Sequence, residues 1–251
     1  TLRSHQPTYP DYFVSKYTAT GNLIWAFSIG EAVSSGIKMK SFNLMPNDNI
    51  LVSANPTGVV DVDPGPAVHN TTSGFSNNQV ICYDSGGNYV WNKKINVTYS
   101  YAIPGSTIAA DASGNVYVLS VGYYEMTITK FDPAGSYLTY KTFGNFASGG
   151  RVDPATILID QVTGELYVAG TFGGTIQFDP FTASLQLTSS SSNYQDGFIA
   201  KFDSTLHTRW VKVFAGELAF GTACLDRDQG DIVAVGSISG TVDLGSGYNF
   251  T

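Results

Sequence analysis

Charged residues are scarce in this chain, and basic residues are the scarcer kind. Of its 251 residues, 13 are Lys or Arg and 20 are Asp or Glu, which gives a net charge of −7 at neutral pH. The longest basic run is Lys93-Lys94. A protein that binds nucleic acid needs a clustered basic surface, so we exclude that class of partner. No apolar run approaches the roughly 20 residues of a membrane-spanning helix, so membrane insertion is also excluded.

The residues that most often carry catalysis are few as well. The chain has two cysteines, Cys82 and Cys224, and three histidines, His5, His69 and His207. The cysteines lie far apart and outside any metal or redox spacing, so each is interpreted as a small buried hydrophobe, with a disulfide as the open alternative. Neither a Gly-x-Ser-x-Gly elbow nor a phosphate-binding Gly-rich loop occurs. We therefore predict no catalytic residue and no cofactor, and we expect the histidines at the surface.

Hydrophobic residues, by contrast, make up 43% of the chain and aromatic residues 13%, which is enough to build a core. A charge-poor, acidic surface rich in Ser, Thr and Asn is commoner outside cells than inside, so we expect a secreted or cell-surface protein. The first five residues lack the charged start and apolar core of a signal peptide. Either a leader has been removed or the chain is an excised domain.

All three tryptophans occupy one position of an internal repeat. A short alternating run ends in an aromatic residue, and Trp25, Trp91, Thr139 or Trp210 stands eight residues later. Between these two marks lie turn residues, usually with a Gly, which predicts a β-hairpin in each copy. The copy around Leu206 has lost its Gly. The aromatic residues that end the runs are Tyr17, Tyr83, Phe131 and Phe202.

A second hairpin follows each of these copies. Three copies have an Asp followed after three or four residues by a Gly, between short β-branched runs, and the degenerate copy contains Met45-Pro46. Two hairpins give four strands per repeat. The uneven spacing of the repeats comes mostly from added segments after the second hairpin, at residues 58–64, 174–180 and 240–244. The Asp positions of the second hairpin are Asp111, Asp160 and Asp226.

Four-stranded antiparallel units repeated along a chain are typical of a β-propeller, and no segment has a sustained helical period. We therefore predict an all-β fold, a β-propeller of four-stranded antiparallel blades, with four blades and the last closed by strands from both termini. Residues 1–10 would form an N-terminal arm and residues 11–251 a single propeller domain. The competing interpretation is a slice of a longer array, which would expose unpaired strands at both ends.

Four stretches carry a resemblance to a known family. They begin at Asp11, Asp111, Asp196 and Gly240 and read DYFVSKYTATGNLIWAF, DASGNVYV, DGFIAKFD and GTVDL. They resemble the bacterial beta-propeller repeat family often abbreviated SBBP, over nearly the whole chain except residues 1–10 and some loops. This resemblance implies a secreted or cell-surface bacterial protein with no catalytic role in the repeat itself. The sequence departs from the family pattern at Thr139, at the Met45-Pro46 turn and at Leu206.

The acidic residues of the added segments are candidate binding residues. Asp61, Asp63, Asp179 and Asp243 lie in oxygen-rich loops, and such loops can hold Ca²⁺. A calcium site needs about six to eight oxygens at one point, however, and the repeats place these residues on different blades. Turn formation by Asp-Pro is therefore preferred to calcium binding.

Other recurring residues have structural interpretations that we prefer to functional ones. Each Asp of the second hairpins could line a central channel, but we expect it to cap its own turn. The tryptophans are interpreted as blade packing. The recurring lysines, interpreted as solvated residues that protect edge strands, are Lys16, Lys130 and Lys201.

We therefore expect a non-catalytic extracellular propeller that acts as a binding or structural scaffold, with a protein or glycan at the cell surface as partner. Loops on a rigid scaffold usually carry recognition, so residues 59–75 and 175–194 are the expected contact surface. The alternative is a polysaccharide-acting enzyme or a glycan-binding propeller that uses the central channel. A second candidate patch consists of Tyr99, Tyr101, Tyr123 and Tyr124, because Tyr is enriched in contacts.

Overall fold

Strands make up all the regular structure of the described part of the chain. The computed structural model describes residues 2, 11–30, 37–56, 58–71, 77–96, 107–122, 124–144, 150–181, 185–191, 195–226, 230–244 and 249–250. Within these ranges no helix occurs, and so none is long and apolar enough to cross a membrane. The fold is a four-bladed β-propeller, which confirms the predicted all-β class. Apart from Leu2, the predicted N-terminal arm lies outside the described residues.

The strands follow one another in the order that the repeat predicts. In chain order they are β1 (Tyr12–Tyr17), β2 (Leu23–Ile29), β3 (Ile37–Leu44), β4 (Ile50–Pro56), β5 (Val60–Asp61), β6 (Asn70–Thr71), β7 (Asn77–Tyr83), β8 (Tyr89–Asn96), β9 (Thr107–Ala110), β10 (Val116–Val121), β11 (Glu125–Phe131), β12 (Tyr137–Gly144), β13 (Arg151–Ile159), β14 (Leu166–Gly173), β15 (Thr175–Gln177), β16 (Gln186–Thr188), β17 (Asp196–Phe202), β18 (Thr208–Phe214), β19 (Glu217–Leu225), β20 (Ile232–Ser239), β21 (Val242–Asp243) and β22 (Asn249–Phe250).

Three blades are complete four-stranded sheets. Blade I has the order β3-β4-β7-β8, blade II the order β9-β10-β11-β12, and blade III the order β13-β14-β17-β18. The strands of the fourth blade come from the two ends of the chain, as hairpins β1-β2 and β19-β20, and the described ladders place these in separate two-stranded sheets. The chain divides into two compact units, one of residues 1–116 and 131–136, the other of residues 117–130 and 137–251.

The added segments form small hairpins of their own, β5-β6, β15-β16 and β21-β22. Their inward residues are fully buried at matching positions: Val60 and Val62 in the first, Ile176 and Phe178 in the second, and Val242 in the third. Burying such side chains contributes roughly 1.5–3 kcal/mol each for residues of this size. Each added hairpin is therefore partly core.

β-Bulges recur at one position of the outer hairpins. The register shifts between Lys16 and Tyr17, between Cys82 and Tyr83, and between Lys201 and Phe202. A bulge increases local twist and re-aims the side chains around it. Recurrence at the residue that ends three of the four alternating runs supports the alignment of the repeats that was made from sequence.

Both cysteines are free thiols, so the alternative of a disulfide is wrong. Cys82 is fully buried on β7, as predicted, but Cys224 on β19 is exposed. The prediction that both are buried hydrophobes is therefore wrong for Cys224. Burial raises the pKa of the Cys82 thiol to about 11.

Candidate functional site

Trp25 and Trp91 each pack the outer hairpin of one blade against the outer-hairpin turn of the next blade. In the first unit the Trp25 Nε1 donates to the carbonyl of Ser85 at 3.2 Å, and the Trp91 Nε1 donates to the carbonyl of Pro133 at 3.3 Å. The glycine beyond each carbonyl lies under the indole: a Cβ on Gly87 would stand 3.1 Å from the Trp25 ring, and one on Gly135 would stand 2.7 Å from the Trp91 ring. Blade packing is confirmed for these two tryptophans.

The third tryptophan, Trp210, is 41% exposed, whereas Trp91 is 6% exposed. Trp210 lies on the outermost strand of blade III and contacts Tyr167 at a ring-centroid distance of 6.2 Å. Trp210 therefore occupies the same repeat position as Trp25 and Trp91, but it is not buried as Trp91 is.

The recurring lysines do not act as solvated edge protection, and that prediction is wrong. Lys16 Nζ donates to the carbonyl of Ser85 at 3.1 Å, and Lys130 Nζ donates to the carbonyl of Ser204 at the same distance. Lys201 Nζ lies 2.6 Å from Glu165 Oε2, and this hydrogen bond raises the pKa of Lys201. Lysine thus joins blades or strands, because its long stem lets a charged head reach a distant carbonyl or carboxylate.

Two Asp residues of the inner hairpins, Asp111 and Asp160, cap their own turns, as predicted. Asp111 Oδ1 accepts the backbone N–H groups of Ser113 at 3.0 Å and Asn115 at 2.9 Å. Asp160 Oδ1 accepts the N–H of Val162 at 2.8 Å, and this bond lowers the pKa of Asp160. The Asp226 turn closes through a bond between backbone groups, in which the N–H of Gly230 donates to the Asp226 carbonyl at 2.9 Å.

Two carboxylates hold the added hairpin of blade I, residues 58–71, which we call the Asp61 loop. Asp61 Oδ1 accepts the N–H of Asp63 at 3.0 Å and the N–H of His69 at 2.9 Å. Asp63 Oδ1 accepts the N–H of Gly65 at 2.7 Å, and Asp63 Oδ2 lies 2.8 Å from His69 Nδ1. Both predicted binding residues are thus bound to their own loop.

Aromatic residues clamp the Asp61 loop to the outer hairpin of blade I. The His69 ring stacks on Tyr89 with centroids 4.1 Å apart, and the Tyr83 hydroxyl donates to the Val62 carbonyl at 2.9 Å. Burial raises the pKa of Tyr83, and the negative charge of Asp63 adds to that rise. The loop is therefore fixed to β7 and β8 from two sides.

The tip of the Asp61 loop, residues 64–68, is exposed throughout, with Val68 67% exposed. Pro64 and Pro66 restrict the backbone on either side of Gly65, since a proline ring fixes φ. The tip is thus a short apolar projection on a clamped base. It is the part of the predicted contact surface, residues 59–75, that is free to meet a partner; residues 72–75 lie outside the described ranges.

The predicted contact segment of blade III, residues 175–194, has an aromatic clamp of its own. Asp179 Oδ1 accepts the N–H of Phe181 at 3.0 Å. The Phe181 ring stacks on His207 at 3.7 Å between centroids, and Lys141 Nζ stands 4.4 Å from the Phe181 centroid. Asp179 therefore shapes its turn, and Phe181 joins the added hairpin to blade III and to β12.

The predicted tyrosine patch does not come together among the described residues. Tyr99, Tyr101 and Tyr123 lie outside the described ranges, and Tyr124 is half-buried. His69 and His207 are partly exposed, as expected of surface histidines, whereas His5 lies outside the description. Within the described part of the chain, no group of three or more His, Cys, Asp and Glu side chains could hold a metal ion.

Asp196 is a buried carboxylate that the sequence analysis did not single out. It is 1% exposed, and it accepts the N–H and the hydroxyl of Ser190, both at 2.7 Å, and the N–H of Gly216 at 3.1 Å. The signal in the sequence was its recurrence, since Asp11 opens the first copy of the same run. Its role is to tie the added segment of blade III and the turn before β19 to the start of β17.

Comparison with known proteins adds little. No family model matches the sequence, and no curated protein matches it. A solved structure titled "Crystal structure of the eukaryotic initiation factor" is similar over 85% of this chain, with 12% sequence identity and a TM-score of 0.29. The matched region spans 61% of that other chain, which is less than two thirds of it. At this level the similarity carries no argument about function.

Proposed function

We propose that this chain is a non-catalytic propeller that acts outside the cell or at its surface, as a binding or structural scaffold for a protein or glycan. The observation that carries the proposal is the Asp61 loop, whose exposed tip stands on a base fixed by Asp61, Asp63 and His69. A loop whose base is ordered before binding loses little conformational freedom when it meets a partner.

The chemistry of the acidic residues supports a binding role over a catalytic one. Asp61, Asp63, Asp111, Asp160 and Asp179 each accept backbone N–H groups of their own turns. For Asp160 the hydrogen bond from the N–H of Val162 lowers the pKa of the carboxyl, which makes that group a poor general acid. The described acids therefore organise loops.

The proposal extends to the source and location of the protein. The repeat motifs resemble the SBBP family, and the acidic surface poor in charge suits an extracellular environment. We assign no cofactor, and protein or glycan partners at the cell surface fit an apolar tip next to Tyr89 and His69, since aromatic rings stack on both kinds of ligand.

The test compares binding by the intact chain with binding by a tip variant. Residues 64–68 are replaced by Gly-Ser-Gly-Ser-Gly, and the partner probes are a glycan array and immobilised surface-layer polysaccharides and proteins of bacteria. A matched control, Val162→Ser, changes a residue that is 94% exposed in a turn of blade III. We expect binding that the tip variant loses and the control keeps; binding that both variants keep in full would show that the Asp61 loop is not the contact surface.

A further inference from the structure

Phe181, in the added hairpin of blade III, lies between two side chains that can carry positive charge. The His207 ring stacks on it with centroids 3.7 Å apart and planes 19° from parallel, and Lys141 Nζ stands 4.4 Å over its centroid. At these distances the amine and the imidazole cannot share one face of the phenyl ring, so each covers its own face. We call Lys141, Phe181 and His207 the Phe181 stack, and all three belong to the second compact unit.

The ammonium group of Lys141 has no oxygen acceptor among the described residues, whereas those of Lys130 and Lys201 each bind one. Its contact is with the face of Phe181, whose negative π-system attracts a cation. The side chain of Lys141 is half-buried, so the head group is positioned. Its three N–H donors are therefore available to an anionic oxygen from outside the chain.

His207 is held on one side and open on the other. Its Nδ1 lies 2.8 Å from Thr205 Oγ1, and one face of its ring lies against Phe181. The side chain is nevertheless 50% exposed. The exposed part is therefore the second face of the imidazole and the edge that carries Nε2. A flat ring with polar groups at its rim fits such a surface.

Arg209 places a further cation beside the turn that contains His207. Its Nη2 lies 3.1 Å from Asp203 Oδ2, and its side chain is 58% exposed. Asp203 also accepts the N–H groups of Thr205 and His207, so Arg209 is tied to the same turn. A guanidinium has five N–H donors, and the contact with Asp203 leaves most of them available.

The charge around the Phe181 stack is positive, although the chain as a whole has a net charge of −7. Charges farther away than about 8 Å are largely screened at physiological ionic strength, so the local balance decides which ligand is attracted. Among the described residues, three cations and two acids contact the stack or its turn: Lys130, Lys141, Arg209, Asp179 and Asp203.

We propose that the Phe181 stack and Arg209 bind an acidic polysaccharide whose sugar units carry carboxylates, that is, a chain of uronates. The weakly positive C–H face of one sugar lies on the open face of His207, as the negative face of an aromatic ring favours. Phe181 and His207 separate Lys141 from Arg209, so carboxylates of successive units meet the two cations in charge-assisted hydrogen bonds. This inference rests on the proposed binding role, and it adds a ligand class and a second contact surface.

Calorimetric titration of the full chain with a short oligomer of galacturonate, at physiological ionic strength, tests the ligand class. We expect saturable binding. Lys141→Met should raise the dissociation constant roughly tenfold or more, because it keeps the stem over Phe181 but removes the donor of a hydrogen bond to a charged group. The matched control, Lys212→Met, removes the same charge from an exposed residue of β18 in the same blade, and screening should limit its effect to less than about twofold.

Two further ligands separate the charge from the sugar ring. The methyl ester of the same oligomer keeps the rings without the negative charge, and citrate keeps carboxylates without the rings. Both should bind roughly tenfold more weakly or less, because each lacks one of the two kinds of contact.

The inference would be overturned if the oligomer showed no saturable binding, if Lys141→Met and Lys212→Met caused equal losses, or if the ester or citrate bound as well as the oligomer. The Asp61-loop tip variant should bind the oligomer as the unmodified chain does. A loss there as large as that from Lys141→Met would assign the acidic sugar to the Asp61 loop and would also overturn the inference. Failure of the oligomer to bind leaves the proposed role of the Asp61 loop standing, because that role is measured with the array and the tip variant.

Discussion

Replacing Leu206 tests how the turn of blade III is packed. Leu206 has a backbone φ of 68° and is fully buried, and it occupies the repeat position of Gly87 and Gly135. Those glycines lie under a tryptophan of the preceding blade, but blade II presents Thr139 in place of that tryptophan. Lys130 reaches the Ser204 carbonyl of this turn as Lys16 reaches Ser85, so the turn meets blade II in the same way. Leu206 therefore fills the space that an indole fills elsewhere.

Two opposing effects set the expected changes in the free energy of unfolding: the loss of a buried side chain and the release of backbone strain. Leu206→Ala should lower the free energy of unfolding by about 2–5 kcal/mol, because a buried side chain is lost and a cavity is left. Leu206→Gly loses the same contacts but releases left-handed strain of roughly 1–2 kcal/mol. The glycine variant should therefore be the more stable of the two, the reverse of the usual order for these residues. Urea titration followed by fluorescence measures both values.

A double-mutant cycle with Thr139→Trp completes the test. Thr139→Trp alone should lower the free energy of unfolding by about 1–3 kcal/mol, because the added indole would overpack a site that Leu206 already fills. Combined with Leu206→Gly it restores the Trp-on-Gly joint, and the coupling energy should be roughly 1–3 kcal/mol in favour of the pair. Asp48→Gly, at an exposed residue with φ 63°, is the control for the backbone effect alone and should raise the free energy of unfolding by about 1 kcal/mol, because strain is released there and little packing is lost. Strictly additive effects of the two changes would refute the reasoning.

Three further predictions concern single residues. Gly135→Ala should lower the free energy of unfolding by more than about 1 kcal/mol more than Gly21→Ala does, as measured by thermal or urea unfolding. Both residues have positive φ, but of the two only Gly135 lies against an indole. Equal losses from the two substitutions would contradict this. Stability should fall as the pH drops below about 4, since the pKa values of Asp84 and Asp160 are lowered by hydrogen bonds from Asn88 and Val162. That stabilisation is complete above the carboxyl pKa of the unfolded chain and is lost as the pH falls through the lower pKa of the folded chain. The urea midpoints measured at pH 7 and at pH 3 should therefore differ less in the Asp84→Asn/Asp160→Asn variant than in the unmodified chain. An unchanged difference would count against this prediction. A thiol reagent at pH 8 should label one cysteine of the folded chain, Cys224, because burial holds the Cys82 thiol protonated; Cys224→Ser should remove the fast labelling, and fast labelling that persists in it would be inconsistent with a buried Cys82.

The repeat made most of the fold predictable. The equal spacing from Tyr17 to Trp25 and from Tyr83 to Trp91 located the outer hairpins, since only a shared position in a blade keeps such a spacing. The Asp and Gly turns located the inner hairpins, because this chemistry closes a tight turn wherever it occurs. The blade boundaries followed from these local signals.

Contacts between blades were not predictable in the same way. The acceptor of Lys16 is the Ser85 carbonyl, 69 residues away, and a backbone carbonyl leaves no mark in the sequence. Thr139 and Leu206 were each visible as departures from the pattern, but their compensation depends on packing between a strand and a turn of different blades. The clamp of His69 on Tyr89 also depends on where the Asp61 loop folds back, which composition does not encode.

Release of reducing ends from polysaccharides is the measurement that tests the central claim most directly. That claim is that the acids of the inner hairpins hold turns and do not act on a substrate. The assay compares the intact chain with Asp111→Asn/Asp160→Asn/Asp226→Asn, and the unfolding midpoint is measured on the same samples. We predict no release above buffer from either protein and a lower midpoint for the variant. Release by the intact chain that the variant loses at an unchanged midpoint would contradict the account.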